Sequence, residues 1–489
     1  MMHKKTLFEH SLLLLFLFFM VATPALAFQF DSIHSDPIAP VILGVTGILF
    51  IALIGRFGAR KIGLPSVLGE LMIGILVGNL AYFFHIDLFM VLREGPAIFV
   101  TVENMLQGDS LELACMKALG ADGVDTPAVQ TVLELLRGPN GVELLQIAQT
   151  VDVFSRYGII FLLFLVGLDT SLGEMRKAGT EAARVAVIGV FFPFVLGFLS
   201  SHFLLPEMPV TTSLFLGATL AATSVGITAM VLQEMNMQST DTSRIIIGAA
   251  VFDDVLGLML LAIVSGIVVT GTIDLFHIAL IIFSSMMFIL FAFYLGPLLI
   301  AYIIKMMHHF DEIEAKMFVS YMFVMVLAWV ANLAGLATII GAFAAGLILQ
   351  DTYFRDWNKG RKCPKRLKDL IMPLEVILVP IFFVLMGIQV KLEIFFDLDV
   401  VILAAGLLVS AILGKVFCGF GAAKGRDKWT IGAGMLPRGE VGLVFAAIGQ
   451  NLGVIDDALF SAIVLMVILT TLIAPPWLKF CLKRSTRSN

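Results

Sequence analysis

An all-α integral membrane protein is predicted, with about thirteen transmembrane helices behind a signal peptide, arranged as two inverted-topology repeats whose discontinuous helices cross. Three features predict it: apolar runs long enough to cross a bilayer, a one-sided distribution of lysine and arginine, and two pairs of similar segments repeated in the same order.

With 59% hydrophobic and 14% charged residues and a mean hydropathy of +0.99, the chain is too apolar for a water-soluble protein of its length. A helix needs about 20 apolar residues to cross the hydrocarbon layer, where every backbone group must be satisfied internally. Such runs occur at 38–56, 64–84, 152–171, 181–203, 211–233, 243–270, 275–305, 315–333, 335–350, 370–390, 398–423, 429–451 and 458–478. The start differs. Lys4 and Lys5 precede an apolar run ending in Ala25-Leu26-Ala27, the pattern of a cleavable signal peptide (1–27), so the mature N-terminus is expected outside the cytoplasm.

In that orientation the expected cytoplasmic loops hold 23 lysines and arginines, and the outer loops hold four: Arg93, Lys117, Arg137 and Lys391. This satisfies the positive-inside rule and predicts a multi-pass inner-membrane protein with a cytoplasmic C-terminus. Beyond the two signal lysines, Arg156, Lys415 and Arg438 remain, in or at the edge of spans. The four cysteines support no disulfide framework. A net charge of −5 gives no reason to expect a nucleic-acid partner.

GLPSVLGELMIGILVG from Gly63 aligns without gaps on GLATIIGAFAAGLILQ from Gly335, an offset of 272; Gly69 falls on Gly341 and Gly74 on Gly346. FLLFLVGLDTSL around Gly167 pairs with PIFFVLMGIQVKL around Gly387 at an offset of 220. Counting spans, the two copies start on opposite sides of the membrane, a pattern of transporters that bind their substrate near the midplane where broken helices meet. The candidate broken pair is LGATLAATSVGITAMVL (216–232), with Gly226, and GMLPRGEVGLVFAAIG (434–449), with Pro437 and Gly439.

The first copy is longer because of residues 85–150, read as an extracytoplasmic helical insertion in which Thr126 and Pro127 look like a helix cap and first turn. The remaining division is 28–84 for the first spans, 151–270 for the rest of the first repeat, 271–333 for connecting spans, 334–480 for the second repeat and 481–489 for a short cytoplasmic tail.

Asp253 and Asp254 lie side by side in GAAVFDDVLGLMLLAIVSGI, about 15 Å into their span at 1.5 Å per residue. An acid facing lipid there costs about 2.5–3.5 kcal/mol, so both must face the bundle. Neighbouring helical residues point about 100° apart. One carboxylate can therefore line a water-accessible site while the other turns to a buried partner, for which Lys415 is the candidate. A carboxylate with oxygens from unwound backbone suits a small hard cation, and a proton competes for the same carboxylate. Arg438 and Glu440 are read as support for the broken helix. Glu70 and Glu375, near span ends, are read as solvated, and His308 and His309 as members of a solvated loop.

These strings, in this order, resemble the monovalent cation:proton antiporter-2 family: GLPSVLGELMIGILVG, FLVGLDTSL, GATLAATSVGIT, Asp253-Asp254, AGLATIIGAFAAGL, FFVLMGI, Lys415 and LPRGEVGLV. The resemblance covers about residues 40–480; the insertion is longer than that family leads one to expect. It implies Asp254 as the main Na+ and proton site, Asp253 as the acid paired with Lys415, and Thr223, Ser224 and Glu440 near the crossing. It further implies an electrogenic exchange of two protons for one Na+, a homodimer, and no cofactor besides the transported ions. A potassium/proton antiporter or potassium efflux protein is the alternative. The regulatory nucleotide-binding domain of such relatives is not expected, because the chain ends at Asn489. An aspartyl protease is excluded, since its two carboxylates must converge on one water about 3 Å apart.

Overall fold

The computed structural model describes residues 36–488 except 37, 120–122, 125, 170–171, 225–227, 229–230, 233–234, 236, 238–239, 271–274, 308–309, 335, 350 and 355–365. The predicted signal segment, Gly226, His308 and His309 thus lie outside the described residues. Everything described is helical or connects helices.

In chain order the helices are α1 (Ala39–Lys61), α2 (Ser66–Phe83), α3 (Asp87–Arg93), α4 (Gly95–Leu106), α5 (Leu111–Leu119), α6 (Pro127–Arg137), α7 (Gly141–Asp169), α8 (Leu172–Leu204), α9 (Val210–Thr219), α10 (Asp241–Thr270), α11 (Leu275–Met306), α12 (Glu312–Leu333), α13 (Thr338–Ile348), α14 (Leu367–Ile388), α15 (Leu398–Cys418), α16 (Lys428–Gly434), α17 (Glu440–Asn451) and α18 (Asp457–Ser488). Among the described residues, nine helices are long and apolar enough to cross a membrane, and four shorter apolar helices accompany them. Aspartates cap several starts by accepting backbone N–H bonds that the first turn cannot use internally: Asp311 from Ile313, Asp397 from Asp399, and Asp427 from both Trp429 and Thr430. Within α8 the helix is interrupted at Gly179, whose φ of 76° is open to glycine without a Cβ penalty.

The helices pack in two groups, with the closest packing inside each: α1, α2, α7, α12, α13 and α14 in one, and α8, α9, α10, α15, α16, α17 and α18 in the other. Helix α11 touches α10 of the second group and α12 and α13 of the first. Helices α3 and α6 seat the insertion on the first group, against α2, α7 and α14.

Glycine contacts repeat with the sequence. A methyl group on Gly69 would strike the Gly55 carbonyl, and one on Gly341 the Leu327 carbonyl, so both partners recur 272 positions on. Likewise α2 meets α14 where Gly74 faces Gly387, and α13 meets α7 where Gly346 faces Gly167. Close backbone approach through small residues is how apolar helices associate where no hydrophobic force separates them from lipid.

Several boundaries and residues differ from expectation. The insertion limit at 150 falls inside α7, which begins at Gly141; polar residues such as Glu143 and Gln146 do not stop a helix, and the break is Gly138-Pro139-Asn140 instead. Helix α18 runs on through the segment expected as a tail, to Ser488. Thr126 occupies the N-cap position of α6, but its hydroxyl donates to the Gly123 carbonyl and caps nothing. Glu70 is fully buried rather than solvated, with Arg56 Nε 2.7 Å from Oε1. Arg56 reaches it from α1 because Gly55 and Gly69 bring the two helices together.

Candidate functional site

The second helix group contains two interruptions that cross. Helix α9 stops at Thr219, and the chain runs without helical structure through Ser224. Helix α16 stops at Gly434 and α17 resumes at Glu440. Pro437 has no N–H to continue the first helix, and Gly439 takes φ −135° and ψ −129°, outside the helical region. The two gaps satisfy each other's backbone. Ser224 N donates to the Pro437 carbonyl at 2.9 Å, Thr223 Oγ1 to the Met435 carbonyl at 3.4 Å and Thr228 Oγ1 to the Gly434 carbonyl at 2.6 Å. Arg438 Nη1 donates to the Ala222 carbonyl and Thr471 Oγ1, from α18, to the Arg438 carbonyl. Thr223, Ser224, Thr228 and Arg438 are all buried. A buried, unwound backbone survives only when its polar groups are bonded in this way.

Beside the crossing lies the acid pair. Lys415 Nζ, from α15, stands 2.8 Å from Asp253 Oδ1, with both side chains fully buried. Asp254 is the more accessible acid at 7%. Arg438 is fully buried and lies in the electrostatic field of Asp253. Two formal negative and two formal positive charges are thus confined to one apolar region, where pairing is what makes burial tolerable. Among the described residues, Asp253 Oδ2 and Arg438 Nε and Nη2 are buried without a hydrogen-bond partner. The structure therefore brings together Asp253, Lys415, Thr223, Ser224, Pro437 and Arg438. Glu440 begins α17, and its side chain lies outside the description, as does Gly226.

Four residues escaped the sequence reading. Thr228 and Thr471 bind carbonyls across the crossing, and single hydroxyls in apolar runs give no signal of their partner. Gly189 on α8 faces the ion pair: a Cβ there would sit 3.2 Å from Cys418 Cβ and 3.7 Å from both Asp253 Oδ1 and Lys415 Nζ. Next to Lys415, Gly414 lets α15 approach the backbone of Pro193 on α8. The pair is therefore sheathed by a close helix contact.

The family described as "Sodium/hydrogen exchanger, transmembrane" matches residues 110–484. The chain belongs to that family. Curated relatives of the exchanger include the high-affinity Na(+)/H(+) antiporter NhaS3 of Synechocystis sp., 36% identical over 452 residues and covering 90% of each chain. The Na(+)/H(+)-K(+) antiporter GerN of Bacillus cereus is 32% identical over 429 residues, covering 86% of this chain and 90% of its own. The solved sodium proton antiporter MjNhaP1 of Methanocaldococcus jannaschii superposes with a TM-score of 0.57 at 16% identity, over 92% of this chain and 99% of that one, a likeness of fold. Membership and apolar helices together make this exchanger-family chain a multi-pass membrane protein and a monovalent cation:proton antiporter by kinship.

Proposed function

We propose that the chain exchanges Na+ for protons by alternating access, two protons per Na+, with Asp254 as the shared cation and proton site. The observation that carries this reading is the fully buried Asp253–Lys415 pair beside the crossed backbone gaps. Cytoplasmic Na+ displaces the proton of Asp254 and is held by that carboxylate with oxygens at the gaps, where Thr223 and Ser224 lie; hard oxygen donors suit the ion. Opening of the Asp253–Lys415 pair releases the second proton. Moving two protons in for one Na+ out transfers one net positive charge inward, so the membrane potential contributes to the driving force.

The movement we propose is of the group holding the site against the other, whose helices pack among themselves. The recurrence of the Gly69–Gly55 contact at Gly341–Leu327, and of Gly74–Gly387 at Gly346–Gly167, supports two inverted repeats and thirteen spans built on them. A homodimer in the inner membrane belongs to the same reading.

A second reading, potassium/proton exchange, is favoured by the name of one relative, a Na(+)/H(+)-K(+) antiporter. The test is purified protein in liposomes with an imposed pH gradient, offered Na+, Li+ or K+ in turn. Proton movement driven by Na+ supports the first reading and by K+ alone the second; no cation-dependent movement sinks both.

A further inference from the structure

The link from α14 to α15 is fastened to both helix groups at one end of the molecule. From the first group, Asn79 on α2 brackets it: Nδ2 donates to the Val390 carbonyl at 2.9 Å and Oδ1 accepts from Leu392 N at 3.0 Å. From the insertion, Arg93 bonds Glu393, and Glu94 Oε1 lies 2.7 Å from Lys391 Nζ. From the second group, Ser461 Oγ on α18 accepts from Lys391 N at 3.2 Å, and Asp457 Oδ2 lies 2.7 Å from the same Lys391 Nζ. The chain of contacts continues inward, because Gln450 Nε2 on α17 donates to Asp457 Oδ1 at 3.1 Å. Helix α17 is the downstream half of the second interrupted helix. A parallel contact joins the same groups, where Arg156 Nη2 of α7 donates to Asn451 Oδ1 at the end of α17.

One ammonium thus lies between a carboxylate carried by one group and a carboxylate carried by the other. Its side chain is 13% exposed and that of Glu94 is 14%, so this pair is screened less than a surface ion pair, whereas Asp457, 36% exposed, lies nearer the solvent. Burial pushes the Lys391 ammonium down, but the Glu94 and Asp457 carboxylates outweigh it and hold it above its ordinary value; it carries its charge throughout the physiological range. On the positive-inside layout this end of the molecule faces outward.

We propose that Lys391 is an external clasp: by bridging Glu94 and Asp457 it holds α18 and α17 against the insertion, and it must release for the ion site to open outward. The inference rests on the alternating-access reading. Release frees two carboxylates at the mouth of the outward path, and an emerging monovalent cation matches the ammonium in charge. The long insertion thereby gains a role, since it supplies Glu94, the stationary half of the clasp.

The test uses full-length protein in liposomes, with Cys115, Cys363, Cys418 and Cys481 replaced by serine and Ser461→Cys as reporter. Ser461 is fully buried directly under the clasp. A membrane-impermeant thiol reagent added outside measures opening. Lys391→Met should label roughly tenfold faster, the change that about 1.4 kcal/mol makes in an opening equilibrium, and Lys391→Arg should stay near the parent rate. Equal labelling of parent and Lys391→Met overturns the clasp. As a second arm that keeps Lys391, Glu94→Cys with Asp457→Cys is bridged by a short bis-methanethiosulfonate, which joins each thiol through a reducible disulfide. Exchange should stop and return on reduction; a bridged protein that exchanges at the reduced rate also overturns the proposal. Labelling needs no transport, so absence of exchange in the parent counts against the antiport reading and leaves the labelling result to decide the clasp.

Discussion

Replacing Lys415 by alanine removes the ammonium in direct contact with Asp253, a residue with no exposed surface and a partner at 2.8 Å. Breaking a buried ion pair from one side typically costs about 3–5 kcal/mol, because the remaining charge is uncompensated. On the two-proton scheme the Asp253–Lys415 pair is the source of the second proton, so in a folded variant each turnover carries one proton fewer against each Na+ and moves no net charge. The consequence is measurable at equilibrium. One elementary charge crossing 100 mV is worth about 2.3 kcal/mol, and about 1.4 kcal/mol is tenfold, so the unmodified protein should shift its limiting Na+ ratio about 50-fold per 100 mV. Lys415→Ala should shift it by less than about twofold on the same scale. The assay is Na+ distribution in proteoliposomes at fixed pH gradient and clamped potential. An unmodified protein indifferent to potential, or a variant that keeps the full response, would refute the two-proton scheme.

Other perturbations test other parts of the arrangement. Asp254→Asn should abolish exchange while leaving thermal unfolding nearly unchanged, since it removes a charge from a residue only 7% exposed; transport at the normal rate would remove Asp254 from the site. Gly189→Ala should lower Na+ affinity by crowding the ion pair, because its methyl meets Cys418 Cβ at 3.2 Å. Adding Cys418→Ala should restore part of that affinity, with coupling of at least about 0.5 kcal/mol for contacting residues; strictly additive effects would argue that the two never touch. Arg56→Ala should lower stability by about 3–5 kcal/mol by stranding the buried Glu70 carboxylate, while Glu70→Gln should cost far less. Equal melting temperatures for the two variants would contradict the burial of that pair.

The order of helices was legible because a bilayer leaves few choices for apolar runs of this length. Pro437 and Gly439 were readable as a break, since a proline lacking its N–H and a glycine weaken a helix wherever they stand. Asp253, Asp254 and Lys415 were conspicuous for the same reason: a charge amid hydrocarbon demands a partner. Glu70 was misread because its partner Arg56 stands on the preceding helix, 14 positions earlier, and its burial depends on how closely α1 and α2 approach.

Composition and local pattern alone thus determined that the chain crosses the membrane many times, where its helices falter and that Asp253, Asp254 and Lys415 carry charge within spans. Only the tertiary structure decided that Thr228 and Thr471 serve the crossing, that Gly189 sheaths the Asp253–Lys415 pair, and that Lys391 joins the insertion to α18. Helix periodicity specifies the direction of a side chain relative to its own axis. Which distant side chain waits there depends on how separate helices pack, and that is set by contacts between residues as far as 313 positions apart, such as Asn79 and Leu392.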